Sequence, residues 1–214
     1  MKRQLHKGAG GISRLSFRKL GRWTGMGLLI AGMALLLIGL PIGGFAVYVY
    51  HDRNFHRVLA GELYRSGQMS DKDLAIHIRT HGIRSVLNLR GAQPKQSWYV
   101  SEVGVSQALG VRHYDLALSA DLDLKPSQRD ELLRIMSEAP RPLLIHCKQG
   151  ADRTGLAAAL YLRHGKQRSL KEAGKQLSIW YGHFPWLGSG TGAMDRSLAA
   201  AEYPDGPTPD VANP

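Results

Sequence analysis

The chain has 214 residues, enough for one domain of about 150 residues with extensions. Apolar residues make up 43% and charged residues 21%, which excludes a wholly disordered chain, and a single cysteine excludes a disulfide framework and any multi-cysteine zinc or iron–sulfur site. The net charge of +11 is concentrated in residues 1–50, which hold seven basic residues and no acidic one, so the folded part is only mildly basic and gives no cause to expect nucleic-acid binding.

In chain order, residues 1–25 form a basic arm (Lys2, Arg3, Lys7, Arg14, Arg18, Lys19, Arg22). Residues 26–50 form an uncharged apolar run of 25 residues, longer than the roughly 20 a helix needs to cross a bilayer. Pro41 within it is tolerable in a membrane helix. A cleavable signal peptide has a shorter apolar core, about 7–15 residues, so the run reads as an uncleaved signal anchor. Trp23 at one end and Tyr48 and Tyr50 at the other suit the two interfaces. The positive-inside rule then places the N-terminus in the cytoplasm and residues 51–214 outside it, which in a two-membrane bacterium is the periplasm.

Residues 51–61 read as a connector and residues 62–203 as the folded domain. Glu62–Ser66 predicts an entry strand. Ser70 as N-cap, with Asp73 three residues on, starts a helix that Gly82 stops. Ile83–Leu89 is a β-rich run, Ser97–Leu109 a helix and Val111–Leu118 a strand. Pro126 opens a helix running to about Ala139. Pro142–His146 is a buried-type strand, Arg153–His164 a helix rich in Ala and Leu, and Ser169 with Glu172 caps another. Strands alternating with helices predict an α/β fold with a mainly parallel central sheet flanked by helices. Residues 204–214, with four prolines, read as an unstructured tail.

The segment that carries chemistry is His146-Cys147-Lys148-Gln149-Gly150-Ala151-Asp152-Arg153-Thr154-Gly155. An apolar strand delivers Cys147 to a loop, and Arg153 opens a helix six residues later. The helix N-terminus and successive backbone N–H groups of Lys148, Gln149, Gly150, Ala151 and Asp152 then form a nest for an oxyanion. Gly150 lets the backbone curl, and the planar fork of Arg153 can bind two phosphate oxygens. Such a setting favours the thiolate and calls for in-line attack on phosphorus, giving a thiophosphoryl-enzyme intermediate. The nest and Arg153 supply the charge stabilisation, so no metal or other cofactor is expected.

This segment resembles the His-Cys-five-residues-Arg-Ser/Thr signature of cysteine-dependent tyrosine and dual-specificity phosphatases. Leu63-Tyr64-Arg65-Ser66-Gly67-Gln68 and Gly82-Ile83-Arg84-Ser85-Val86-Leu87-Asn88-Leu89-Arg90 are similar to the domain entry and first core strand of its small bacterial members, so the resemblance runs from residue 62 to about 185. It implies Cys147 as nucleophile, Arg153 as phosphate clamp, Thr154 as a hydrogen-bond donor to the sulfur, and His146 as a support behind the loop. It also implies an acidic general acid some two to three dozen residues before the cysteine. Asp121, 26 residues before Cys147 in the loop ahead of the Pro126 helix, ranks first, ahead of Asp152, which resembles the myotubularin arrangement, and Asp123. Asp115 falls within the predicted strand.

Other features read as structural. His77 and His81 share a helix face without a third metal ligand and read as surface histidines. Trp180, Tyr181, Phe184 and Trp186 read as helix-to-core packing before a wall for an aromatic ester. The leading expectation is a membrane-anchored phosphatase for phosphotyrosine in proteins, extending to phosphoserine and phosphothreonine. A lipid or small phosphometabolite phosphatase is the second. Lipid enzymes of the family often carry two lysines in this loop, and Ala151 with Asp152 departs from that. A silent phosphate-binding module would not need Cys147 and Arg153 together, and a sulfurtransferase fits the Arg-Thr-Gly helix start less well.

Overall fold

The computed structural model describes residues 26–186 and 189–201, so the basic arm 1–25 and the tail 204–214 lie outside the described residues. The chain divides into two compact units, Met1–Tyr48 and Val49–Pro214. Helix α1 covers residues 26–50. Its turn Leu35–Gly39 is π-wound, with the Leu40 N–H bonded to Leu35 O, immediately ahead of Pro41. Proline lacks an N–H and its ring collides with the carbonyl four residues back, and a widened turn absorbs both effects. The most apolar 18-residue stretch of this helix has none of its residues buried, as expected of a segment whose solvent is lipid.

The second unit holds one five-stranded sheet in the order β1-β2-β5-β3-β4. The strands are β1 (His56–Leu59), β2 (Leu63–Ser66), β3 (Ser85–Asn88), β4 (Arg112–Asp115) and β5 (Leu143–His146). All neighbours are parallel except β1, which pairs antiparallel with β2. The sheet is therefore mixed at one edge, and the segment expected to be a connector supplies that edge strand. The helices are α2 (Asp71–His81), α3 (Ser97–Ala108), α4 (Pro126–Glu138), α5 (Asp152–Leu160), α6 (Leu170–Gly174) and α7 (Gly192–Ala200). The Ser70 side chain accepts the Asp73 N–H at 3.1 Å, and Gly82 ends α2 in the left-handed region. Helix α5 passes into a π turn at Tyr161–Gly165, so the helix expected over 153–164 is not uniformly α.

Side chains alternate across the sheet. Leu63, Leu87, Leu143 and Ile145 face α4, α5 and α7 in the larger core, while Tyr64, Val86 and Leu144 pack with Leu74 and Ile78 of α2. Both faces of the parallel strands are thus covered, which leaves their carboxyl edge as the open side of the layer. Ser66, His146, Asn88 and Asp115 stand in register along that edge. In open α/β sheets ligands bind outside that edge.

Candidate active site

Strand β5 ends at His146 and delivers Cys147 into the turn that leads to α5, whose first residues are Asp152 and Arg153. The backbone of this turn is oriented from outside. Lys148 O accepts the Gln68 N–H at 3.1 Å, Gln149 O accepts Asn54 Nδ2 at 3.1 Å, and Gly150 O and Ala151 O accept the Arg65 guanidinium at 2.8 and 3.3 Å. With four successive carbonyls held outward, the intervening N–H groups are left for the inside. One of them, Gly150 N–H, donates to Cys147 Sγ at 3.3 Å. Gly150 has φ +75°, and a Cβ there would lie 2.5 Å from Gly67 N and 2.6 Å from Ser66 C. Only glycine lets the loop press this closely on the end of β2.

Arg65, in mid-strand of β2, is fully buried; it also donates to Gln176 O and Oε1, both at 2.8 Å, and stacks 3.9 Å from the Tyr181 ring. Burial, opposed by Tyr181, Cys147 and Asp152, brings its pKa down to about 10. Asn54 is buried and takes a left-handed conformation with Asp52 and Arg53, a tight reversal that aims its amide at Gln149 O and at Tyr181 O, 2.9 Å away. Sequence reasoning missed Asn54 as a loop support. It quoted Arg65 only as part of a resemblance, although an arginine inside a short apolar strand is itself a signal of a buried partner.

His146 lies under the turn. Its Nε2 is 3.0 Å from Glu102 Oε1, and its Nδ1 is 3.4 Å from Cys147 O. Glu102, from α3, also receives His113 Nε2 at 2.8 Å and Gln68 Nε2 at 2.6 Å. Burial alone would raise its pKa. The charge of His146 and the hydrogen bonds from His113, His146 and Gln68 outweigh burial and hold the carboxyl well below its ordinary range. Gln68 in turn accepts Arg90 NH1 at 3.1 Å, and Arg90 stacks 3.6 Å over Trp98. Burial, then the repulsion of Arg153, lowers the Arg90 pKa, which marks a second cation at the same end of the sheet.

Lys148 and Gln149 are exposed; Ala151 and Thr154 are buried. Arg153 NH1 donates to Leu118 O at 3.3 Å, joining the loop to the segment that carries Asp121, and its Nε has no hydrogen-bond partner among the described residues. Thr154 Oγ1 is likewise without a partner, so the bond to sulfur comes from Gly150 N–H and not from the threonine.

The acidic candidates separate by their partners. Asp115 accepts from Asn88 Nδ2 at 2.8 Å and from Tyr99 OH at 2.5 Å, the latter bond pushing the Tyr99 pKa up to about 12. Asp152 lies 2.7 Å from His183 Nδ1, and His183 Nε2 is 2.9 Å from Asp195 of α7. Burial acts to lower the His183 pKa, but the two carboxylates prevail and raise it. Asp123 pairs with Arg196 at 2.8 Å. Asp121 is exposed beside Gly190 and carries no side-chain hydrogen bond or ion pair among the described residues.

Two structural readings need correction. His77 is buried, with Nε2 3.1 Å from Asp52 Oδ1 and its ring 4.0 Å from Phe55. It packs where the reversal at residues 52–54 meets α2. Among the described residues no group of three potential metal ligands occurs. Trp180, Phe184 and Trp186 are not core: they remain 59%, 38% and 53% exposed, because they sit on a 3₁₀ turn and loop after α6 and not on a helix facing the sheet. The largest cavity, about 670 Å³ between α4 and the π turn, contains none of the residues around Cys147. A smaller one, about 300 Å³, is lined by Tyr50, Arg53, Gly67, Gln68, Lys148 and Gln149, beside the loop.

Residues 42–165 match the tyrosine phosphatase family. Among solved structures, TpbA of P. aeruginosa, in complex with pTyr, is similar at 22% identity, covering 68% of this chain and 83% of its own, with a TM-score of 0.53. The core catalytic domain of the PP-IP phosphatase Siw14 of S. cerevisiae matches at 22% identity over 66% of this chain and 83% of its own, TM-score 0.53. Tk-PTP in its active form matches at 18% identity over 67% and 95%, TM-score 0.53. At these identities the likeness is one of fold. No curated protein matches the chain in sequence.

Proposed function

The chain belongs to the tyrosine phosphatase family, and on that premise we propose that it hydrolyses phosphotyrosine monoesters of proteins, extending to phosphoserine and phosphothreonine, at a site tethered to a membrane by α1. The observation that carries this reading is the outward tethering of the carbonyls of residues 148–151 around Cys147, with Gly150 N–H on its sulfur. A ring of N–H donors around a thiolate suits a tetrahedral dianion above that sulfur.

In the proposed reaction the phosphate rests on the N–H groups of Lys148, Gln149, Gly150, Ala151 and Asp152 and on the Arg153 fork. Cys147 Sγ attacks phosphorus in line. The P–S bond forms as the bond to the ester oxygen breaks, and that oxygen takes a proton from Asp121. Asp121 is favoured because Asp115, Asp123 and Asp152 are already held by other side chains. Water then gives its proton to the Asp121 carboxylate and attacks phosphorus, and the P–S bond breaks to release phosphate and the thiolate. Thr154, buried one residue beyond Arg153, is placed to donate to that departing sulfur after a small rotation. His146 and Glu102 position the loop from beneath.

The basic arm puts the N-terminus in the cytoplasm and the phosphatase domain outside it. A second reading, a lipid or small phosphometabolite phosphatase, draws on the span and on the likeness to Siw14. Ala151 and Asp152 stand against it, since they place no second lysine in the loop. The test is Cys147→Ser in the full chain in detergent, assayed on a phosphotyrosine peptide. Turnover should vanish with the melting temperature unchanged, and the parent enzyme should be inhibited by vanadate and untouched by chelators. Retained turnover in the serine variant would remove the cysteine mechanism.

A further inference from the structure

Three observations place an exposed aromatic face between the end of the apolar helix and the phosphate loop. Ile179, Trp180, Phe184 and Trp186 are 36%, 59%, 38% and 53% exposed, an unusual concentration of large apolar side chains on one short stretch. The stretch is fastened on both sides. Tyr181 O accepts Asn54 Nδ2 at 2.9 Å, and Gly182, at φ +78°, approaches so closely that a Cβ there would lie 2.9 Å from Val49 Cγ1. His183 is 2.7 Å from Asp152, the first residue of α5. The loop is also stiffened from within: Ser189 Oγ and Thr191 Oγ1 both bond Phe184 O, at 2.8 and 3.2 Å.

Residues 49 and 50 continue the apolar helix directly, and only four residues separate Tyr50 from Asn54. An extended chain of that length reaches about 14 Å. Whatever angle the helix takes, the aromatic stretch and the loop at Gln149 are therefore held within about one headgroup layer of the point where the chain leaves α1. Tryptophan and phenylalanine at that depth are stabilised by an apolar body in the acyl boundary, and the indole N–H finds water or phosphate.

We propose that the face formed by Ile179, Trp180, Phe184 and Trp186 is seated in the lipid headgroup layer from which α1 emerges, holding the mouth of the phosphate loop at the membrane surface. The proposal rests on reading α1 as a membrane span. It goes beyond a passive tether, because a domain pinned at two points presents its site to phosphate groups at the surface and not to those free to approach from bulk.

The test uses the full chain reconstituted in phosphatidylcholine vesicles and in matched vesicles brominated close to the headgroup. Tryptophan emission of the parent minus that of a Trp180→Ser/Trp186→Ser variant isolates these two indoles from Trp23 and Trp98. The difference signal should lose roughly half its intensity or more in brominated lipid, as interfacial tryptophans do. The variant should keep the parent's rate on a small soluble aryl phosphate, which shows that it is folded. An unquenched difference signal with water-like emission would overturn the proposal. So would an unquenched signal accompanied by a variant that changes from dimer to monomer, since the face would then cover a second copy. Alkaline carbonate extraction tests the span independently: protein released from the vesicles would mean that α1 does not cross, a failure distinct from that of the aromatic face.

Discussion

Replacing Arg65 with methionine separates the orientation of the phosphate loop from the stability of the fold. The substitution leaves Gly150 O buried without its partner, which costs about 1–3 kcal/mol. Ala151 O keeps the Gly155 N–H at 2.7 Å, and Gln176 O is half-buried and can be rehydrated. Against this loss stands the burial of the guanidinium itself. A pKa brought from 12.5 to about 10 means that keeping Arg65 charged inside costs about 3 kcal/mol relative to water, a cost methionine does not carry. The two effects nearly cancel, so denaturant unfolding of Arg65→Met should differ from the parent by no more than about 2 kcal/mol. Catalysis should not be spared. A Gly150 carbonyl freed from Arg65 can turn inward and remove an N–H donor from the nest, and one such donor is worth about 10²–10³ in kcat. The assay is kcat on an aryl phosphate beside urea unfolding of the same preparation. A variant that loses several kcal/mol yet keeps kcat within about threefold would show that Arg65 packs the loop without orienting it, and the reasoning would be wrong.

Asp121→Asn should slow a substrate with a poor leaving group, such as phosphotyrosine, by about 10²–10⁴ and spare one with a strongly acidic leaving group, whereas Asp152→Asn should depress both alike; leaving-group dependence in the Asp152 variant alone would exchange the two. His183, its pKa raised by Asp152 and Asp195, should titrate above 6.5 in a histidine NMR experiment, and Asp195→Asn should lower that midpoint. A folded pKa above the unfolded one means that its contribution to stability is complete below pH 6.5 and is lost as pH rises through the raised value; a midpoint below 6.5 would contradict the pairing. An alkaline phosphatase fused after residue 214 should be active and a fluorescent protein that matures only in the cytoplasm dark, and the reverse pattern would put the catalytic domain in the cytoplasm.

What the sequence discloses here is what is local in it. The run from His146 to Gly155 is contiguous, so strand, loop, glycine and helix start can be read together, and the ends of α2 are written by Ser70, Asp73 and Gly82 within a dozen residues. Strand β1 escaped because an edge strand with one free side needs no apolar period: His56–Leu59 takes its register from β2. The supports of the loop escaped for a related reason. Arg65, Glu102 and Asn54 are polar residues that sequence patterning assigns to the surface, and only tertiary contact turns them into a buried scaffold.

The acid shows the limit most sharply. Four aspartates were equivalent as letters, distinguished by distance from Cys147 and by loop context alone. Their difference lies in partners far along the chain: Arg196 for Asp123, 73 residues away, and His183 for Asp152, 31 residues away. A carboxyl that must hold and release a proton during turnover is poorly served by a strong fixed partner, because that partner stabilises one protonation state at the expense of the other. Freedom from such partners, on a loop whose base is bonded to Arg153 through Leu118 O, is therefore the property that selects Asp121. The same argument explains why Asp152, within the loop itself, is better suited to hold His183 and the aromatic stretch in place than to exchange protons.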